Sequence, residues 1–246
     1  MKFLFNKQDV YRETFYLYQY NENDFRICLQ KFARQKGFEE EKKTGYIPQT
    51  EPEEVQRVSL SRTKRHIREL ALCNGFEYFA TLTVDSANAD RFSLTDCQDL
   101  LRKKLKKLKR KNSDFAYLFI TEKHKNGAFH FHGLVKGIND FYINSNGYLS
   151  HEVFDEIGFN SFSKIHDFEK TCNYITKYIT KDCIKNEHNQ IYFCSRGLKK
   201  ATKYIIKPDF DIDFTYENDF CKLRDFHIPD MSQEELLKFM LLKEGK

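Results

Sequence analysis

The sequence lacks the features that mark membrane proteins and disulfide-framed proteins. No apolar run in its 246 residues approaches the roughly 18–20 residues of a spanning helix. The apolar stretch in MKFLFNKQDV is too short for a secretory signal. The seven cysteines stand apart without a CxxC pair, which argues against a cysteine zinc site and favours reduced thiols. We therefore expect a cytoplasmic protein with no membrane partner.

The charged residues are unevenly distributed along the chain. Residues 61–207 carry a net charge of about +10, whereas residues 208–246 carry about −5 and the first sixty residues balance. A basic centre of this kind is typical of a nucleic-acid partner, although lysine-rich surfaces are also common on other soluble proteins.

Three regions differ in pattern. Residues 1–56 read as an N-terminal extension and linker, with a helix near 22–36 and two early prolines, Pro48 and Pro52. Residues 57–207 carry regular periodicities and form the expected catalytic domain. Residues 208–246 form an acidic tail, in which SQEELLKFMLLKEG predicts a short helix.

The central region alternates between helical and extended patterns. Helices are predicted at 57–73, from 94 onward and at 167–183, and strands at 77–84, 115–123, 128–136, 161–166 and 190–195. Thr95 and Gln98 have the spacing of a capping box. The second helix has one apolar stripe and a basic opposite face; the stripe comprises Leu94, Cys97, Leu101, Leu105 and Leu108. This order predicts an α+β fold, with helices over an antiparallel sheet.

Two histidines stand one residue apart in the strand 128–136. His130 and His132 point to the same side of a strand, and simple pairing across the turn at Lys125–Gly127 puts Glu122 opposite His130. A bulge at Gly127 would shift that register. Two imidazoles and a carboxylate make a three-ligand metal site with open positions, suited to Mg²⁺ or Mn²⁺ when phosphate oxygens complete it. Two half-buried, hydrogen-bonded strand histidines would give the same pattern.

The segment TCNYITKYITKD repeats a tyrosine and a lysine. Tyr174, Lys177, Tyr178 and Lys181 fall at i, i+3, i+4 and i+7, on one helical face. An ordinary amphipathic helix would also show this spacing. Tyrosine is a poor nucleophile at its usual pKa, and a cation near a phosphodiester would make its attack feasible. Together the two patterns predict cleavage through a covalent phosphotyrosine.

These segments resemble the HUH endonuclease superfamily, named for the histidine–hydrophobic–histidine motif seen here as His130-Phe131-His132. FATLTVD (79–85), EKHKNGAFHFHGLVKG (122–137) and YITKYITK (174–181) are similar, in order, to the three motifs of rolling-circle replication initiators of small phages and plasmids. The resemblance implies a five-stranded antiparallel sheet with flanking helices, related to RNA-recognition folds. It also implies nicking of one DNA strand at an origin, with Tyr174 and Tyr178 alternating and Lys177 and Lys181 in support.

The expected partner is single-stranded DNA at a replication origin. Phosphate contacts are predicted for one face of each of two helices, comprising Arg62, Arg65, Arg68, Lys103, Lys106, Lys107 and Arg110. For the charge run alone, a solvated face is an equally simple explanation. The chain has no Walker-type glycine loop, so a helicase and a polymerase of the bacterial host are further expected partners.

Three other functions fit parts of the pattern. An HUH transposase or mobilisation relaxase would share the chemistry, although relaxases commonly carry a histidine triad. A non-catalytic module that binds single-stranded nucleic acid would need neither metal nor nucleophile. A zinc hydrolase with two His and one Glu would leave the tyrosine pair without a role.

Overall fold

The computed structural model describes residues 14–30, 52–179, 192–206, 214–217 and 221–227. The chain divides into two compact units. One is continuous and covers Thr50–Lys199; the other combines Met1–Gln49 with Lys200–Lys246. The functional range of 57–207 that the sequence suggested stays a prediction.

The continuous unit is built on a seven-stranded antiparallel sheet. Its strands are β3 (Tyr78–Val84), β4 (Ala116–Lys123), β5 (Phe129–Lys136), β6 (Phe141–Ile143), β7 (Leu149–His151), β8 (Gly158–Lys164) and β9 (Tyr192–Cys194), in the order β6-β7-β8-β3-β5-β4-β9. The five strands predicted from the sequence are β3, β4, β5, β8 and β9. The short strands β6 and β7 add to the β8 edge, where Leu149 pairs with Phe162.

Four helices flank this sheet, and the α+β prediction is confirmed. They are α1 (Pro52–Cys73), α2 (Leu94–Lys111), α3 (Glu152–Asp155) and α4 (Phe168–Lys177). Side chains alternate between the two faces of each strand. Leu82 and Phe131 point to the face where Leu101, Leu105 and Phe154 of α2 and α3 complete a buried core. Thr83 and His130 occupy the opposite face, on which α4 lies beside α1.

The apolar stripe of α2 forms as predicted, since Cys97, Leu101, Leu105 and Leu108 are buried. The predicted start of this helix was wrong. Ser93 is the N-cap, and its hydroxyl accepts a hydrogen bond from the amide of Asp96. Ser93 caps because its backbone is extended (φ −90°, ψ 112°), whereas Thr95 already lies inside the helix.

One glycine lets the central strands pack closely. Gly133 on β5 faces the ring of Phe119 on β4, and a Cβ at this position would overlap that ring. Phe119 is fully buried in the core on the α2 side. The absence of a side chain at Gly133 therefore allows a large aromatic ring under the strand that carries His130 and His132.

The second unit contains a five-stranded antiparallel sheet. Its strands are β1 (Thr14–Gln19), β2 (Asp24–Gln30), β10 (Thr202–Ile206), β11 (Tyr216–Glu217) and β12 (Cys221–His227), in the order β10-β1-β2-β12-β11. Leu17, Phe25 and Ile27 form its core. The guanidinium of Arg26 donates two hydrogen bonds to the carboxylate of Asp225, at 2.6 and 2.9 Å.

The helix predicted near 22–36 is wrong for residues 24–30, which form β2. Phe25, Ile27 and Leu29 alternate inward, as a strand requires. Residues 31–36 and the helix predicted within 232–245 lie outside the described residues. Among the described helices, none is long and apolar enough to cross a membrane.

Candidate metal and tyrosine site

The β4–β5 hairpin has the register that simple pairing predicts. Glu122 pairs with His130, so no bulge intervenes. The turn closes with hydrogen bonds between His124 and Ala128 and between Gly127 and His124, each 2.8 Å long. Gly127 has a φ of +89°, a conformation that glycine adopts without strain. A four-residue turn with glycine at the left-handed position thus sets which side chains face the candidate site.

Threonines on the neighbouring strand hold both imidazoles. Thr81 pairs with His132 and Thr83 with His130 across the β3–β5 ladder. The Thr83 Oγ1–His130 Nδ1 distance is 3.0 Å, and the Thr81 Oγ1–His132 Nδ1 distance is 3.3 Å. Each imidazole therefore uses Nδ1 within the sheet and leaves Nε2 for another partner.

The partner of His132 is the carboxylate on β4. His132 Nε2 donates a hydrogen bond to Glu122 Oε2 at 2.9 Å, which is a diagonal contact because Glu122 is paired with His130. Burial lowers the pKa of His132, although the neighbouring Glu122 opposes the shift. Burial, together with His124, also lowers the pKa of His130. Both imidazoles are therefore neutral near pH 7, the form in which histidine binds metals.

The helix that carries the tyrosines is shorter than predicted. Asp167 caps its start by accepting from the amide of Lys170 at 2.9 Å, and the helix ends at Lys177 instead of continuing to 183. Tyr178 is the C-cap residue, and its amide donates to Ile175 three residues earlier at 3.4 Å. Lys181 lies outside the described residues. Tyr178 thus belongs to the tightened last turn, one turn after Tyr174.

The two tyrosines meet the histidine face differently. The ring of Tyr178 stacks on the imidazole of His132, with centroids 3.8 Å apart and planes at 12°. Tyr174 is 46% exposed and touches Tyr178 and Phe79 edge-on, at 5.2 and 5.3 Å. Burial raises the pKa of Tyr178, and a hydrogen bond with Tyr174 raises it further. Tyr178 is therefore the tyrosine against the Glu122–His132 pair, with Tyr174 between it and solvent.

A shallow hollow lies beside Tyr174. It has a volume of about 530 Å³ and includes Phe79 in its wall. Three lysines surround it: Lys164, Lys170 and Lys177. The ammonium of Lys177 lies 5.8 Å from the centre of the Tyr174 ring, as a lysine three residues later on a helix permits. The hollow is thus positively charged on the side where the exposed tyrosine stands.

The fit of this site to a metal can be judged from its donor atoms. Two donors that bind one Mg²⁺ at about 2.1 Å and at right angles lie about 3.0 Å apart, close to the Glu122–His132 separation of 2.9 Å. His130 shares the face of these two residues. As the side chains stand, however, no three His, Cys, Asp or Glu residues among those described converge closely enough to hold an ion.

The predicted DNA-contact residues lie on both faces of the sheet. Arg62 and Arg65 are exposed on α1. Arg68 bridges α1 and α4, because it donates to Asn173 at 3.2 Å and pairs with Glu169 at 3.6 Å. The α2 group, consisting of Lys103, Lys106, Lys107 and Arg110, lies on the face opposite His130 and His132. DNA contact by any of these residues stays a prediction.

Sequence reasoning missed the threonine pair and one imidazole. The alternation in FATLTVD puts Thr81 and Thr83 on one face of β3, and this was the available signal. Their pairing with His130 and His132 required the strand order, which local pattern does not specify. The ring of His124, in the hairpin turn, lies 5.0 Å from that of His130. Neither threonine nor His124 was among the predicted site residues.

An antiparallel α+β sheet that carries histidines, a carboxylate and tyrosines on one face defines a class of nucleic-acid-processing folds rather than one protein. A comparison with family models narrows this class: residues 77–183 match a family of replication-associated proteins, the ORF2 family. The match covers somewhat under half of the chain, including β3 through α4, and supports a rolling-circle replication initiator. No curated protein and no solved structure matches the chain.

Proposed function

We propose that this protein nicks one DNA strand at a replication origin and holds the cut end as a 5′-phosphotyrosine, then rejoins ends during rolling-circle replication. One observation carries the proposal: Tyr178 stacks on His132, which is itself hydrogen-bonded to Glu122. The residues of two separated motifs thus meet on one face of the sheet. The match of residues 77–183 to a replication-associated family supports the same activity.

Glu122, His130 and His132 are the proposed ligands of a Mg²⁺ or Mn²⁺ ion. When bound, the cation would offset charge on the scissile phosphate and hold it in line with the nucleophile. The threonines suit this role because a hydroxyl both donates and accepts hydrogen bonds. With the Nε2 proton of His132 on Glu122, Thr81 donates to Nδ1; once that proton has moved to Nδ1, Thr81 accepts it. The imidazole can therefore release Nε2 for coordination without losing its partner on β3.

Tyr178 is the proposed nucleophile of the first cut. Its phenolic oxygen attacks phosphorus, a tyrosine–phosphorus bond forms, and the bond from phosphorus to the 3′-oxygen breaks. The tyrosine proton passes to water, and the leaving oxygen takes a proton to become a 3′-hydroxyl. Tyr174, one turn away and more exposed, would serve the second cut after one round of copying. Lys177 is proposed to counter phosphate charge beside Tyr174, and Lys181 to do so after Tyr178.

The test is capture of the covalent intermediate. Long randomised single-stranded oligonucleotides, carrying different dyes at the 5′ and 3′ ends, are incubated with protein and Mn²⁺ and run on a denaturing gel. A 5′-phosphotyrosine retains the downstream fragment, so only the 3′ dye should migrate with the protein. Tyr174→Phe/Tyr178→Phe should abolish the band, and so should His130→Ala/His132→Ala. Retention of the 5′ dye, or a band that survives in either double variant, would refute the proposal.

The same assay separates the alternatives. A transposase or relaxase would also give an adduct, and the proximity of His124 to His130 supplies the third imidazole that relaxases commonly use. His124→Ala should leave adduct formation intact if Glu122 completes the site, and abolish it if a histidine triad does. A non-catalytic module or a zinc hydrolase would give no adduct at all.

A further inference from the structure

A groove runs along the edge of the seven-stranded sheet formed by β9. Its volume is about 930 Å³, and its walls come from α1, α2, β4 and β9. Tyr117, which lines it, stands five residues before Glu122 on β4, so the two are separated by about 17 Å along the strand at about 3.3 Å per residue. The groove is thus distinct from the histidine–tyrosine cluster.

Aromatic side chains line the groove. Tyr117 and Tyr192 are half-buried and Phe193 is buried, so their rings are held by the sheet and leave part of their surface to the groove. The guanidinium of Arg102 lies 5.0 Å above the centre of the Phe193 ring. Fixed aromatic rings beside cations are the surface on which unpaired bases stack, because every base has a π-face whatever its sequence.

The charge of the lining has one sign. It contains four cationic residues and no acidic one: Arg102, Lys106, Lys109 and Arg196. Arg102 is paired with Asp99 at 2.8 Å, and Lys109 donates to the carbonyl of Phe115 at 2.8 Å. Lys106 and Arg196 are exposed, and neither forms an ion pair with another described residue. These two cations are therefore available to an anionic ligand.

The basic residues of α2 separate into two sides. On the side away from the groove, Lys104 and Lys107 pair with Glu156, and Lys111 lies 3.7 Å from Glu152. These pairs partly neutralise that side, whereas the groove side keeps Lys106. A charge run that looks uniform in the sequence thus presents an unneutralised cation only where aromatic rings lie next to it.

We propose that this groove binds a segment of single-stranded DNA by base stacking and phosphate contact, without reading sequence. The inference rests on the proposed function, since it places the strand being processed on a second surface away from the tyrosines. Unpaired bases are required because the rings of a duplex are stacked on one another and cannot reach Tyr117 or Tyr192. The segment would be held by Lys106 and Arg196 through its phosphates.

The experiment measures binding without cleavage. A fluorescent oligothymidylate is titrated with protein in EDTA, so that neither a metal nor a nucleophile is needed, and affinity is followed by anisotropy over a range of salt. Lys106→Gln/Arg196→Gln should reduce the slope of log affinity against log salt by about 1.4, at about 0.7 for each lost phosphate contact. Lys103→Gln/Arg110→Gln removes the same charge from α2 outside the groove and should leave the slope unchanged.

A second pair of variants tests stacking. Tyr192→Leu should weaken oligothymidylate binding by at least about fivefold, the lower end for loss of one stacked base, whereas Tyr192→Phe should not. Equal slopes in the groove variant and the wild type would overturn the inference. So would an equal loss in the Lys103/Arg110 control, or an equal loss of binding to a polyglutamate peptide. Failure of the adduct assay with normal oligothymidylate binding would instead refute only the proposed cleavage.

Discussion

The ring of Tyr178 lies flat on the imidazole of His132, with centroids 3.8 Å apart, while Tyr174 meets the same cluster only through its edge contact with Tyr178. The pair is therefore asymmetric, although each tyrosine has the same local sequence and a lysine three residues later. This asymmetry gives the two tyrosines different predicted roles.

We expect Tyr178→Phe to abolish the rapid phase of adduct formation and Tyr174→Phe to leave it intact. The reason is position, because only Tyr178 contacts a proposed metal ligand. Phenylalanine keeps the stacked ring, so unfolding midpoints should not change. Rapid mixing with a labelled substrate followed by denaturing gels measures the phase. An equal loss in both variants would show that the two tyrosines are interchangeable in the first cut.

Loss of the second nucleophile should appear only on a circular template. Tyr174→Phe should complete the first nick but fail to release a unit-length circle, since the second cut lacks its tyrosine. The measurement is the ratio of circles to nicked product over time. Circles produced at the wild-type ratio would show that Tyr174 only packs against Phe79 and Tyr178.

Thr83→Val should weaken Mn²⁺ binding by about 10- to 100-fold, the usual effect of removing a group that orients a metal-bound histidine. Valine has nearly the shape of threonine but cannot hydrogen-bond to His130 Nδ1. Calorimetric titration with Mn²⁺ measures the affinity directly. Thr83→Ser keeps the hydroxyl and should restore most of the binding. Equal affinity for Mn²⁺ in the valine variant and the wild type would remove Thr83 from the site.

Lowering the pH should destabilise the continuous unit through His151. This imidazole is buried at the start of α3, where Nδ1 accepts a hydrogen bond from the amide of Val153 at 3.1 Å. Burial lowers its pKa below 6.5, although Glu152, Asp140 and Asp155 oppose the shift and Lys111 adds to it. The unfolded chain then binds more protons below about 6.5, so the free energy of unfolding falls as pH drops through that range.

The matched variant for this prediction is His151→Asn. Asparagine can still accept at the N-cap but does not titrate. Thermal unfolding between pH 7 and pH 5 should show a smaller fall in midpoint for this variant than for the wild type. Parallel curves for the two proteins would assign the acid sensitivity to other groups.

Gly133→Ala should destabilise the continuous unit by about 1–3 kcal/mol, the usual cost of overpacking a core. The new Cβ would overlap the buried ring of Phe119. Denaturant unfolding measures the change. Phe119→Leu removes that overlap, so the double variant should be more stable than the sum of the two single effects predicts. Strict additivity would show that Phe119 is not what excludes a side chain at Gly133.

Much of the site could be predicted because its signals are local. Alternation placed His130 and His132 on one face, and a single turn containing Gly127 fixed the partner of Glu122. What failed depended on contacts distant in sequence. Phe25, Cys28 and Leu29 fit a helix at i, i+3 and i+4 as well as β2, and only pairing with β1 and β12 decides between them. The threonine–histidine pairs likewise exist only because β3 lies beside β5.

The discontinuous sheet has a consequence for how the chain folds as it is made. Strands β1 and β2 are synthesised first, but β2 lies between β1 and β12, and β12 is made last. Until Cys221–His227 leaves the ribosome, β2 therefore presents an unpaired edge of amides and carbonyls, which is a template for association with other chains. Thr50–Lys199 is contiguous and can fold during that interval. A nascent chain truncated before β12 should thus retain a folded continuous unit but aggregate through its N-terminal hairpin.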